Sequence, residues 1–132
     1  MKRFMIFVVA VIMAAGLSFG QKKSDCPDKA RLCKALQGYK VCLKSENLGV
    51  RTSALYQLAK LKSCFPDLDL SEVMLAVDQV CKKDKEPIVR AQANLTYAYI
   101  ADDSLCAKVK TLAADTPVEF FNRVQTELAL RD

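Results

Sequence analysis

Six cysteines, Cys26, Cys33, Cys42, Cys64, Cys81 and Cys106, are the side chains best equipped for chemistry in this sequence, and none of its 132 residues is histidine. Without an imidazole there is no Ser–His or Cys–His nucleophile pair, no His-ligated zinc and no His-ligated haem. C-x-x-C is absent, so a thioredoxin-type dithiol has no support. The tightest cysteine spacings are seven and nine residues, which do not supply the two close pairs of a Cys-only zinc site. In a short exported chain an even cysteine count reads as a disulfide framework, so all six are expected to form three bridges. Free buried thiols are the plain alternative.

The carboxylates offer less. Asp78 and the Asp102/Asp103 pair have no spacing that sets two acids across a cleft with separated pKa values. Asp102/Asp103 reads better as a helix start. Beyond residue 20 the only glycines are Gly38 and Gly49, which leaves no phosphate-cradling loop, and G-x-S-x-G, H-E-x-x-H and calcium-loop patterns are missing. The expectation is a protein that is no enzyme and has no catalytic residue, metal site or cofactor.

Residues 1–20 carry the three parts of a secretory signal. Lys2 and Arg3 are the positive start, an apolar run extends from Phe4 to Ala15, and Ser18-Phe19-Gly20 is a small-x-small cleavage site before Gln21. The apolar run falls short of the roughly 20 residues that a spanning helix needs. Cleavage near Gly20/Gln21 is expected, with one domain over 21–132 in a periplasmic or secreted protein. The short positive start is of bacterial type.

Charge is divided along that domain. Residues 21–62 hold ten basic and three acidic side chains, whereas 63–132 hold eight and twelve. Lys29, Arg31, Lys34, Lys40 and Lys44 lie on or beside the first helical stretch and form a candidate surface for an anionic partner. That partner is an unknown protein or an anionic envelope component. Weak head-to-tail self-association between the basic and acidic halves is a second use of the same asymmetry. A solvated face that aids solubility is the plain alternative. Nucleic acid is disfavoured by export and by the acidic second half. The first helix lacks the apolar stripe needed for stable membrane insertion.

These residues must be positioned by helices. Three prolines and two glycines among the last 95 residues leave little turn material for strands. Six helices are expected. The first runs from Pro27 to about Lys44, and the second is capped by Asn47 with Val50, Ala54, Leu58 and Leu61 on one face. Asp69 and Glu72 have capping-box spacing before Leu70, Val73, Val77 and Cys81. Pro87 opens a fourth helix with Val89, Ala93, Tyr97 and Ile100 inward. A short helix follows from Asp102 or Asp103 to Ala113. Thr116-Pro117-Val118-Glu119 then caps a last helix that buries Val118, Phe121, Val124 and Leu128. Tyr56, Tyr97 and Tyr99 are expected at the core edge.

The sequence also resembles itself. A shift of 39 over residues 32–61 gives eight identities in thirty, namely Leu36/Leu75, Val41/Val80, Cys42/Cys81, Lys44/Lys83, Val50/Val89, Arg51/Arg90, Ala54/Ala93 and Ala59/Ala98. Chance would give about two, and such a period is typical of stacked helical hairpins. Gly49-Val50-Arg51-Thr52-Ser53-Ala54-Leu55 and Pro87-Ile88-Val89-Arg90-Ala91-Gln92-Ala93 resemble the opening of a helix in a HEAT-type repeat. The resemblance covers two units, about 32–61 and 71–100, with a shortened unit after them. It implies an all-α, right-handed stack of antiparallel hairpins, an α-solenoid of recognition rather than reaction. It also implies that Arg51 and Arg90 are structural, tying adjacent turns together. Cys42 and Cys81 would occupy equivalent places, with Cys64 near Cys33 or Cys106 at the other end. The expected function is an exported, disulfide-stapled, non-catalytic binding module. A helical carrier of a small apolar ligand is the alternative, and a cysteine-dependent redox or metal protein is the third reading.

Overall fold

The computed structural model describes residues 29–110 and 115–132, and every regular element among them is helical. In chain order these are α1 (Lys29–Cys42), α2 (Leu48–Cys64), α3 (Ser71–Lys83), α4 (Pro87–Ala101), α5 (Asp103–Lys108) and α6 (Pro117–Ala129). The signal-like residues 1–20, Cys26 and Pro27 lie outside the described residues. Cys33–Asp132 is one compact unit; the first 32 residues group separately and are described only as the first turn of α1.

Local chemistry sets most of the helix ends. Asn47 caps α2, its Oδ1 accepting from the N–H groups of Gly49 at 2.8 Å and Val50 at 3.3 Å. Asp102 caps α5 in the same way, through Ser104 and Leu105. At α6 the expected capping box is complete. Thr116 Oγ1 accepts from Glu119 N–H, Glu119 accepts from Thr116 N–H at 2.9 Å, and Pro117 fills the first position. The start of α3 departs from expectation. Its cap is Leu70, which makes no side-chain bond, and Asp69 instead accepts from the N–H and hydroxyl of Ser71. Helix α5 ends at Lys108, and Ala113, the expected end, lies outside the described residues.

Helix α4 is the hub, packed by α2, α3, α5 and α6. Its buried positions Val89, Gln92, Ala93, Thr96, Tyr99 and Ile100 follow helical spacing over about three turns. Tyr97 falls off that stripe and is 40% exposed, contrary to the sequence expectation, while Tyr99 takes the inward place. A similar rotation occurs in α6, where Val118 is exposed and Phe120 enters the core beside Phe121 and Val124. Phe120 joins three helices. Its ring centroid is 5.4 Å from that of Tyr56 on α2 and 5.1 Å from that of Tyr99 on α4, the latter edge-on. Fully burying a side chain such as Leu55, Leu58 or Phe120 contributes about 1.5–3 kcal/mol each.

Helix α1 differs from the others. It contains no buried residue, and it contributes only partly buried Leu36, Tyr39 and Cys42 to the core, followed by buried Leu43 in the turn. On α3 the inward positions are Val73, Val77 and Val80. The residues 39 positions earlier are Lys34, Gly38 and Val41, all exposed. The first helix therefore presents a different face to the core from the one its sequence partner buries. Lysine and glycine at two of the three positions leave no apolar stripe there to bury.

Candidate functional site

The candidate site grows from the turn between α1 and α2 and its counterpart between α3 and α4. Arg51 stands one turn into α2, with Nη1 donating to the carbonyls of Ser45 at 2.9 Å and Glu46 at 3.2 Å. Arg90 does the same one turn into α4, donating to the Asp84 carbonyl at 2.6 Å. Both bonds reach six residues back, and Ser45 and Asp84 are themselves 39 apart. The arginines thus hold equivalent turns by the same bond.

Arg51 also bridges the two turns. Its Nε lies 2.9 Å from Asp84 Oδ2 as a charge contact without hydrogen-bond alignment, and Nη2 donates to Oδ1 at 3.3 Å. Asp84 Oδ1 accepts the N–H of Glu86 as well, at 2.9 Å. Asp84 was not singled out from the sequence. The available signal was its position six residues before Arg90, which matches Ser45 before Arg51. The outer side of the joint carries a weaker pair, Lys85 to Glu46 at 3.4 Å, between well exposed side chains.

Of the five basic residues expected to form a surface, Lys29, Arg31, Lys34 and Lys44 are exposed. Lys40 turns toward α3 and pairs with Glu72 at 3.6 Å, so the structure separates it from the others. Lys34, Val41 and Lys44 share the solvent side of α1 and the turn after it, and Val41 is 72% exposed. Behind this helix, Tyr39 and Cys42 of α1 face Val50, Ser53 and Gln57 of α2 across an open groove of about 380 Å³. A smaller groove of about 190 Å³ separates Leu43 and Lys44 from Ala76 and Val80 of α3.

The disulfide expectation is corrected. Cys33, Cys42, Cys64, Cys81 and Cys106 are free thiols, so stapling is not seen among the described cysteines. Cys33 and Cys64 are exposed, and Cys42 lines the α1–α2 groove. Cys106 instead borders an open cleft of about 420 Å³ with Ser63, Asp67 and Lys110. The equivalence of Cys42 and Cys81 fails as a pairing argument because α1 and α3 bury different faces. Burial, helped by the nearby Asp78 carboxylate, pushes the Cys81 thiol up from its ordinary value. Among the described residues no three Cys, Asp or Glu side chains cluster as a metal site.

Among the described residues Tyr99 is strongly perturbed. Burial is the main cause, and a bond involving Cys106 adds to it, so its phenol is held far above its ordinary value of 10.0. Its hydroxyl donates to the Val109 carbonyl at 2.7 Å, which joins α4 to the end of α5. Tyr56 is raised for the same leading reason, with the Asp115 carboxylate contributing. Both phenols lie in the core and serve packing.

No protein-family model matches the chain, and no curated protein or solved structure matches it significantly. Among the described residues no helix is long and apolar enough to cross a membrane.

Proposed function

We propose that this chain is an exported, non-catalytic helical-hairpin module of HEAT-like type that binds a protein or an anionic envelope component through its first helix. The observation that carries this reading is α1 itself. From Lys29 to Lys44 the chain has five basic and no acidic side chains, and none of the helix is buried. A helix that gives the core no fully buried residue and does not balance its own charge is suited to meeting a partner of opposite charge. The matching Arg51 and Arg90 bonds support a repeat of the turn, and the open grooves suit a macromolecular surface better than an enclosed small ligand. Export rests on residues 1–20, with cleavage after Gly20.

Crosslinking and pull-down from the native envelope, comparing wild type with Lys29→Glu, Arg31→Glu and Lys34→Glu, tests the reading. The reversed proteins are expected to lose the partner, and wild-type recovery to fall with added salt. Unchanged recovery by the charge-reversed proteins would overturn it.

A further inference from the structure

We infer that the groove between α1 and α2 is a docking site for an acidic amphipathic helix of another protein. This deepens the reading above by naming the partner's chemistry. Helix α4 turns Val89, Gln92, Thr96 and Ile100 inward, and α2 is one of the helices packed on it. The residues 39 positions earlier, Val50, Ser53, Gln57 and Leu61, form the corresponding stripe of α2. Apolar and polar residues fall in the same order in both, but here Val50 and Ser53 are exposed and Gln57 and Leu61 only half-buried. The first three of them, or their close neighbours, line the groove of about 380 Å³ facing Tyr39 and Cys42. In α4 this stripe has helical cover. In α2 only α1 stands over it, across the open groove.

Charge selects the occupant. From Cys33 to Cys64 the chain carries Lys34, Lys40, Lys44, Arg51, Lys60 and Lys62 against a single acid, Glu46. Lys40, Arg51 and Lys62 have acidic partners within the fold, and Glu46 is already engaged by Lys85. Lys34 and Lys44 make no ion pair among the described residues and remain on the solvent side of α1. A second copy docked face to face would set these lysines against one another. Docked by its α5–α6 end, it would offer Asp102, Asp115 and Glu127, which are tied to Arg131, Arg123 and Lys108 of their own chain. A foreign helix with aliphatic residues along one face and glutamate or aspartate beside them meets both requirements.

The test uses the signal-cleaved protein and a fluorescent helical peptide of about four turns, with leucine at each third or fourth position and glutamate between. Its lysine-for-glutamate twin is the control. The acidic peptide is expected to give a saturable rise in fluorescence polarisation, and the twin none. Val50→Glu and Ser53→Glu are each expected to weaken binding by about tenfold or more, and Leu130→Glu to leave it unchanged. Val50 lies three residues after the Asn47 cap, where an acid favours the helix, and Ser53 is exposed, so circular dichroism should stay native. Equal peptide affinity in both groove variants would overturn the inference, as would equal binding of the twin. A dimer by sedimentation that Ser53→Glu dissolves would assign the groove to a second copy and also overturn it. Binding to phosphatidylglycerol vesicles with the same groove dependence would assign it to lipid, with the same consequence. Loss of the envelope partner on reversal at Lys29 and Arg31, with groove variants still binding the peptide normally, would sink the groove alone. The opposite pattern would sink the reading of α1 instead.

Discussion

Arg51 and Asp84 form a buried ion pair across 33 residues of sequence, with side chains only 5% and 7% exposed. Neither group is left to its partner alone, because Arg51 also bonds the Ser45 and Glu46 carbonyls and Asp84 accepts the Glu86 N–H. Removing one partner strands the other charge in the interior. Arg51→Met or Asp84→Ala alone is expected to cost about 3–5 kcal/mol of stability in urea denaturation. The double substitution should cost clearly less than the two added together. Simple additivity would show that the pair does not act as a unit.

Tyr99 gives the fold an alkaline limit. Its phenol has a raised pKa in the folded protein, so between the unfolded value near 10.0 and the folded value the native state holds the proton more tightly. The stabilisation is complete below pH 10 and declines as pH rises beyond it. Tyr99→Phe should remove most of that decline in pH-dependent denaturation. At neutral pH it should cost about 1–2 kcal/mol for the lost bond to the Val109 carbonyl. A decline of the same size in the variant would assign the effect to other groups.

The capping box of α6 supports the helix that carries Phe120. Thr116→Ala removes the acceptor for the Glu119 N–H and is expected to lower stability by about 1 kcal/mol. Thr116→Ser should recover most of it, since the hydroxyl is what accepts. Equal loss in both variants, read from urea midpoints, would show that the methyl group matters instead.

Thiol accessibility reports on how the helices pack around the described cysteines. Cys33 and Cys64 are exposed and should alkylate first in the folded, reduced protein. Cys81, half-buried and with its thiolate disfavoured, should be among the slowest. Time-resolved maleimide labelling followed by peptide mass spectrometry reads the order. Fast labelling at Cys81 would contradict the packing of α3.

Short-range signals carried much of this fold. Asn47, Asp102, Pro87 and the Thr116–Glu119 box each act within four residues, so their effect on helix ends was legible from spacing alone. The apolar stripe of α3 was legible for the same reason, since Val73 and Val77 are buried as their periodicity predicts. Rotation about a helix axis was harder to read. Tyr97 and Tyr99 are both aromatic, and choosing between them needed the positions of α2, α5 and α6 around α4. Phe120 was missed beside Phe121 because either could begin the stripe.

The candidate site was partly legible. The basic run and the paired arginines stood out in the sequence, but their neighbours did not. Asp84 becomes a partner of Arg51 only when two turns 33 residues apart are brought together. Lys40 leaves the basic surface because α3 places Glu72 beside it.

Helical class, most cap positions and the charge division along the chain were determined by the sequence, because propensity, capping and composition act locally or add up without regard to position. Tertiary structure decided which face of α1 meets the core, which arginine is buried with its acid and where the free thiols stand. Each of those depends on distances between segments far apart in the chain. A period of 39 residues marks matching side chains, but burial depends on the neighbours, and α1 lacks the neighbours that enclose α4.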